Sequence, residues 1–331
     1  MESLLPIITV GITCHNAADT IERAVKSALD QDWPNLEVIV VDDCSSDQSR
    51  QVLETLALSE PKLKVLRHGI NKGYPGALNT IINAACGEFV AIFDDDDDNL
   101  PSRLRAQYER ITDYVRASGA ELVFCYANRS VVKCGQADPD HVALAIGRRA
   151  PEPNGPAVAD FVLDISTDTY YVWGMFGSCT LMARRSAFLT VGPFDESFRR
   201  CAEWDMAVRA AFKGAHFIAV DRPLITQYKT QSADKSGALP LKYSLLLREK
   251  HSSYLRRRGL YFVSRALARS NFYGSKGRIW VSRAYRLMAM ALRSFPFRKF
   301  VDSAGFGKFN LLTRGRDSQG NRREIGSHKS R

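Results

Sequence analysis

The chain has 331 residues, 45% of them hydrophobic and 25% charged, which argues against a fibrous or wholly disordered chain and allows a sizeable buried core. No uninterrupted apolar run approaches the roughly 18 to 20 residues that span a bilayer, and the opening Met1-Glu-Ser-Leu-Leu-Pro lacks a basic stretch, so neither a membrane span nor a signal peptide is expected. Seven scattered cysteines without Cys-x-x-Cys argue against zinc and for free thiols in a reducing cytosol. The net charge of +10 is unevenly spread: residues 241–331 hold 22 Lys and Arg against 4 Asp and Glu, while residues 1–240 are acidic. This break predicts an acidic part that needs a cation, followed by a basic part that meets something anionic.

In chain order, Ile7 to Thr13 reads as a strand running into the polar Cys14-His15-Asn16. Asp19 and Glu22 stand at capping-box spacing, and Ile21, Ala24, Val25, Ala28 and Leu29 predict one buried helix face. Glu37 to Asp42 is continuous and apolar, as a parallel central strand should be, and ends in Asp42-Asp43. Ser46 or Asp47 is expected to cap a helix from near Gln48. A third strand, Leu63 to Arg67, leads into a Gly-rich loop, Asn71-Lys72-Gly73, that has neither Walker spacing nor Gly-x-Gly-x-x-Gly. A helix over Ala77 to Ala85 follows. Alternating strands and helices predict an α/β, doubly wound sheet.

The next strand, Val90 to Phe93, runs into Asp94-Asp-Asp-Asp-Asp98. In open α/β sheets ligands sit beyond the carboxyl ends of strands, and Asp94 and Asp96 would project together if the pleat persists. Crowded carboxylates repel unless a cation lies between them, and Mg²⁺ or Mn²⁺ prefers hard oxygen. The alternative is a solvated loop in which Asp98 or Asn99 caps a helix with Pro101 in its first turn. Further on, Glu121 to Tyr126 reads as a strand, Lys133 to Gly155 as a surface excursion, Cys201 to Phe212 as a helix and His216 to Val220 as a last strand.

Taken together, these pieces resemble the family-2 glycosyltransferases of the GT-A fold over roughly Pro6 to Gly237. The resemblance rests on Thr13 and Asn16; Ser27-Ala-Leu-Asp-Gln31; Asp42-Asp43 with Ser45 and Asp47; Asn71-x-Gly73 with Asn79; Asp94-x-Asp96-Asp97 with Pro101 and Arg103-Leu104; Gly192-Pro-Phe-Asp195; and Glu203-Trp-Asp205 with Arg209. It implies a Rossmann-like mixed sheet and inverting transfer of a sugar from a nucleotide-diphospho-sugar, a UDP-sugar foremost, to an acceptor hydroxyl in polysaccharide or glycoconjugate assembly. It also implies that Asp43 binds the nucleobase, that Thr13, His15, Asn16, Lys72 and Asp96 belong to the nucleotide site, and that Mn²⁺ or Mg²⁺ is held by Asp94, Asp96 and Asp97. The acidic run is longer than the usual motif, which leaves the metal-holding pair open by one residue. Glu203 is the expected general base, in place of the family's commoner Asp, and Asp205 the expected structural acid. Trp173, Trp204 and Asp195 are placed on the acceptor side. The late metal-binding His of some members is here Gln231.

The expected organisation is a catalytic domain over 1–239, basic helices over 240–312 and a disordered tail over 313–331. In the last helical stretch Trp280, Ala284, Leu287, Met288 and Ala291 share a face opposite Arg278, Arg286 and Arg293. That face either packs on the catalytic domain or meets an anionic membrane surface, which would suit a lipid-linked saccharide acceptor and a peripheral place at the inner membrane face. Two other readings are a metal-dependent nucleic-acid enzyme and a catalytically silent sugar-nucleotide-binding module. The first is disfavoured because the basic residues lie on helices without an aromatic strand platform. Intact acids at every matched position disfavour the second.

Overall fold

The computed structural model describes residues 5–136, 138–229 and 237–294. Gln231 and the 313–331 tail lie outside them. β1 (Ile8–Cys14), β2 (Leu36–Asp42), β3 (Leu63–Arg67) and β4 (Phe89–Asp94) alternate with α1 (Ile21–Leu29), α2 (Ser49–Ser59) and α3 (Gly73–Ala84), and pair in parallel as β3-β2-β1-β4. Then come β5 (Asp98–Asn99), α4 (Arg103–Ser118), β6 (Val123–Val132), β7 (His141–Ala143), α5 (Pro156–Val162), β8 (Met182–Arg184), α6 (Arg185–Val191), α7 (Ala202–Phe212) and β9 (His216–Tyr228). They extend the sheet as β4-β8-β6-β9-β5, with β7 beside β6. β8 runs antiparallel to both β4 and β6, and β5 antiparallel to β9, so the sheet is mixed. The sheet is thus the α/β, Rossmann-like mixed sheet expected, all-parallel in its first half and mixed in its second.

Strand alternation divides the core between two faces. Ile8, Val10, Ile12, Val38, Val40, Phe89 and Phe93 pack with residues of α1, α2 and α4, such as Val25, Leu53 and Leu104. Ile39, Val41, Val90 and Ile92 pack with α3, α6 and α7 through Ile81, Phe188 and Met206. Gly11 makes the close approach of α3 possible, since a Cβ there would lie 2.3 Å from Ile81 Cγ2. Register brings the functional ends abreast: Thr13 pairs with Asp94 and Cys14 with Asp42.

Three local expectations fail, the first two for a tertiary reason. α3 begins four residues before Ala77 because the Asp43 carboxylate, thirty residues away, accepts Lys72 N at 2.8 Å and Gly73 N at 2.7 Å. That contact satisfies orphan donors of the first turn. Asp98 and Asn99 pair with Ile225 and Thr226 of β9 and do not cap α4. Asp19 caps nothing among the described residues; Thr20 precedes α1 without a side-chain cap hydrogen bond.

The basic segment forms α8 (Leu239–Lys250), α9 (Ser252–Arg257), α10 (Tyr261–Ser275) and α11 (Ile279–Ser294). Leu247, Leu255 and Tyr261 are buried in the same cluster as Val158 of α5 and Met206 of α7. Arg248, fully buried, donates to Asp164 Oδ2 at 2.5 Å and to the Ser264 carbonyl at 3.2 Å.

Candidate active site

Two clefts open beyond the carboxyl ends of the parallel strands. The smaller, about 310 Å³, is lined by Thr13, Cys14, His15, Asp43, Tyr74, Ala77, Asp94, Asp95 and Asp96. The larger, about 540 Å³, lies between α7 and the C-terminal helices, and Glu203, Trp204 and Arg199 face it. Both volumes fall within the ~300–1,000 Å³ usual for small-ligand sites. Tyr74 and Asp94 border both clefts.

The strand-2 acids divide their work. Asp42 is buried, accepting Ser45 N at 3.0 Å and Arg67 Nε at 3.2 Å, and so braces the sheet edge. Asp43 takes, besides the α3 amides, His68 Nδ1 at 2.6 Å, and its carbonyl oxygen lies 3.1 Å from His15 Nδ1. A carboxylate has about four acceptor positions, so three internal donors leave Asp43 one for a ligand. Asn16 is turned away: at φ +53 its side-chain oxygen accepts Ser46 N at 2.8 Å, fixing the loop after β2. Lys72 contributes its backbone N–H to Asp43, and its side chain is not among the residues lining the cleft.

The acidic run is held from behind. Arg103, fully buried under Asp94 and Asp97, donates to the Ile92 carbonyl at 3.0 Å and lies 4.2 Å over the Phe93 ring. Burial lowers its pKa to about 10, still charged at neutral pH. Arg23 donates to the Asp96 carbonyl at 2.6 Å and pairs with Asp98 at 2.9 Å. Burial and mutual repulsion push the carboxyls of Asp94, Asp95 and Asp97 upward. Asp97 Oδ1 accepts Tyr228 N at 3.3 Å, but its buried Oδ2 has no hydrogen-bond partner among the described residues. An orphaned carboxylate oxygen is costly in a low-dielectric site. Asp94, Asp97 and Cys179 offer ligand atoms within 4.8 Å of one another. Burial and the two nearby acids hold Cys179 as a thiol, so the cluster presents carboxylate oxygens rather than a soft thiolate. That donor set fits a hard divalent cation. Asp96 is outside this cluster and lines the smaller cleft.

Glu203, in the first turn of α7, faces the larger cleft, and burial raises its pKa. Asp205, one turn-face away, is fully enclosed: it accepts His251 Nε2 at 2.9 Å, Lys250 Nζ at 2.8 Å and Arg209 Nε at 2.8 Å. It bolts α7 to the junction of α8 and α9. Trp204 lines the cleft, whereas Trp173 stacks on Phe161 at 4.3 Å and donates to the Asp168 carbonyl, outside the cleft lining. Asp195 is likewise elsewhere, paired with Lys250 at 2.7 Å.

Sequence reading overlooked Tyr74, Ser178, Cys179, His68 and the helical wall of the larger cleft. Tyr74 Oη lies 3.1 Å from Asp94 Oδ1 and 2.8 Å from Ser178 Oγ. Tyr74 directly follows Asn71-Lys72-Gly73, the sequence signal that points to it. The backbone is also strained around both clefts: the four non-glycine residues at positive φ among those described are Asn16, Cys44, Asp164 and Cys201. Asp164 and Cys201 line the larger cleft, while Asn16 and Cys44 adjoin His15 and Asp43 of the smaller. Such strain collects where structure serves a site.

Comparison with known proteins supplies the family. Residues 9–131 match Glycosyl transferase family 2. The chain is 39% identical over 118 residues to the succinoglycan biosynthesis protein ExoO of Rhizobium meliloti, covering 36% of this chain and 32% of that one. It is 35% identical over 101 residues to WfgD of Escherichia coli, a UDP-Glc:alpha-D-GlcNAc-diphosphoundecaprenol beta-1,3-glucosyltransferase, covering 30% of this chain and 39% of that one. The matched segment thus spans well under half of each relative. Among solved structures, the mannosyltransferase PcManGT of Pyrobaculum calidifontis, in complex with GDP-Man and Mn²⁺, superposes with a TM-score of 0.52 at 18% identity, covering 91% of this chain and 80% of that one. The segment from residue 9 to residue 131 therefore belongs to glycosyl transferase family 2, and the chain has the GT-A fold.

Proposed function

We propose that this chain transfers a sugar, with inversion, from a nucleotide-diphospho-sugar in the smaller cleft to an acceptor hydroxyl in the larger one. The observation that carries this reading is the meeting of the two clefts at Tyr74 and Asp94, with the Glu203 carboxylate on the far side. The nucleotide lies against Thr13, His15, Asp43 and Asp96, and a UDP-sugar is the donor to test first. Asp94 and Asp97 would hold Mn²⁺ or Mg²⁺, a reading that the orphaned Asp97 oxygen supports. When bound, the cation neutralises charge on the diphosphate leaving group. Glu203 takes the proton of the acceptor hydroxyl, a task helped by a carboxyl whose pKa burial has raised toward the working pH. Trp204 offers a ring face to the acceptor sugar. PcManGT with its bound nucleotide-sugar and Mn²⁺, and the WfgD glucosyltransferase, support the reaction class. The setting is polysaccharide or glycoconjugate assembly, with the basic helices resting on an anionic membrane surface.

Calorimetry of UDP, GDP, dTDP and CDP with Mn²⁺ and with EDTA tests the donor half. One nucleotide should bind preferentially, and only with the cation. Equal binding of all four under both conditions, or none, would remove the support for this reading.

A further inference from the structure

α10 is a wall shared between the larger cleft and the protein's outer surface. Ala268, Asn271, Phe272 and Ser275, at the spacing of one helical face, line the cleft that Glu203 faces. The other side of α10 packs on α11, with the Tyr273 and Tyr285 rings stacked at 5.7 Å and Val263, Ala266 and Ala289 buried together. α11 uses Ala289, Tyr285 and Leu292 for that contact and turns another face outward: Trp280 is 79% exposed, Leu287 65% and Met288 43%. The face that could have packed on the catalytic domain is therefore exposed among the described residues.

Charge indicates what covers it. From Tyr261 to Ser294, across α10, α11 and the link between them, the chain carries seven Lys and Arg and no acid. A second copy of so basic a surface would be repelled, whereas anionic lipid headgroups attract each nearby Lys or Arg. No described helix is long and apolar enough to cross a membrane, which leaves α11 lying along the interface. Distance then ties this face to the cleft. Only Lys276, Gly277 and Arg278 separate α10 from α11. Ser275 on the cleft lining and Trp280 are five residues apart, so at ~3.6 Å per residue their Cα atoms lie within about 18 Å. An interfacial helix sinks its apolar face about 5–10 Å into the headgroup boundary.

We propose that the α10–α11 hairpin docks on an anionic bilayer and holds the mouth of the Glu203 cleft at the headgroup layer, where an acceptor saccharide carried on a lipid can enter. The word acceptor rests on the transfer reading above; the docking geometry does not. Phe272 and Asn271 then become the residues that meet the part of the acceptor nearest its lipid.

The test places a bimane fluorophore at Ser275→Cys, in a full-length chain whose exposed Cys44, Cys86 and Cys134 are changed to Ser. It is mixed with vesicles of equal parts phosphatidylglycerol and phosphatidylcholine containing a lipid with a nitroxide headgroup. The label should lose most of its fluorescence, while the same label at Leu58→Cys, exposed on α2 beside the β3 edge of the sheet, keeps its own. The pair Trp280→Ser and Leu287→Ser should release the protein from the vesicles with an unchanged melting temperature. Failure to bind the vesicles, equal quenching at the two positions, or a dimer in solution that those two substitutions dissociate would overturn the proposal. Neither readout uses a sugar donor, so a negative result here leaves the transfer reading intact, and loss of that reading leaves this result intact.

Discussion

The phenol of Tyr74 stands 3.1 Å from Asp94 Oδ1, on the line where the two clefts meet. Asp94 faces the α3 side of the sheet because β4 alternates Val90, Ile92 and Asp94 on that face, and Tyr74 reaches it from the first turn of α3. Burial and the Asp94 charge raise the phenol's pKa, so it remains a neutral donor to the carboxylate. With one proton to give, Tyr74 donates to Asp94 and accepts from the Ser178 hydroxyl.

Tyr74→Phe keeps the ring and removes that donor. A hydrogen bond to a charged group contributes about 1.5–3 kcal/mol, so kcat/KM for transfer should fall by roughly 10- to 100-fold. Nucleotide affinity, measured by calorimetry, should change less. Unchanged kinetics would reduce Tyr74 to a packing role.

Glu203→Gln keeps shape and hydrogen bonding but cannot accept a proton. Transfer should drop by about 10²- to 10⁴-fold with donor affinity retained, and Glu203→Asp should recover part of the rate. Steady-state kcat with donor Kd recorded alongside decides this, and a near-normal kcat in Glu203→Gln would remove Glu203 from the chemistry.

Asp97→Asn replaces a buried, partly unpaired carboxyl with an amide of the same size. In EDTA the variant should melt no lower than the parent, because burial and the neighbouring acids push the Asp97 carboxyl up to about 8 and the parent must take up a proton there to fold at neutral pH, which an amide does not. In Mn²⁺ with UDP it should lose the cation-dependent rise in melting temperature that the parent shows. A parent-sized rise in the variant would move the cation elsewhere in the acidic run.

Asp205 predicts a pH effect on stability. Burial pushes its carboxyl upward, but hydrogen bonds from His251 and Lys250 and the Arg209 charge outweigh burial and hold it at about 2, down from 3.8. A carboxyl depressed by folding stabilises fully above its unfolded pKa and loses that contribution as pH falls through the folded value, here between about 4 and about 2. The loss is about 2 kcal/mol. Urea unfolding of the parent across that window should show it. Asp205→Asn should be destabilised by about 3–5 kcal/mol at neutral pH, since two cations lose their buried partner, and should show a flatter acid dependence.

Truncation tests how far the catalytic unit extends. Leu247, Leu255 and Tyr261 belong to the core that also holds Met206, so ending the chain at residue 239 should yield insoluble or unfolded protein. Ending it after Lys276 removes α11 and should leave a folded chain that binds nucleotide but not anionic vesicles. Soluble, nucleotide-binding protein from the shorter form would make the basic helices an independent appendage.

Much of the fold is written locally. The continuous apolar runs of β1, β2 and β4 and the spacing of Ile21, Ala24, Val25 and Ala28 in α1 declare themselves because burial of one face needs only short-range periodicity. The acidic termini of β2 and β4 and the Glu203 helix start are legible in the same way, since they are contiguous in the chain. Contacts between distant segments are not. Asp42 and Asp43 are adjacent and chemically identical, yet one is paired by Arg67 and the other caps α3, a division set by strand register and helix placement. The sequence left open which acids of the run stand together, and packing brought Asp97 beside Asp94 and Cys179 while Asp96 lines the smaller cleft. Trp173, Asp195 and Trp204 looked alike as aromatic or acidic neighbours of the acceptor side, and only Trp204 borders the cleft. Composition established that the last helices are basic and amphipathic; that they also wall the cleft opposite α7 depended on Arg248, Lys250 and His251 reaching acids some 45 to 85 residues earlier in the chain, as the 84-, 45- and 46-residue separations show. Hydrophobic periodicity acts between near neighbours and can be read along a sequence. Pairing of buried charges acts through space, and only the folded chain decides which partners meet.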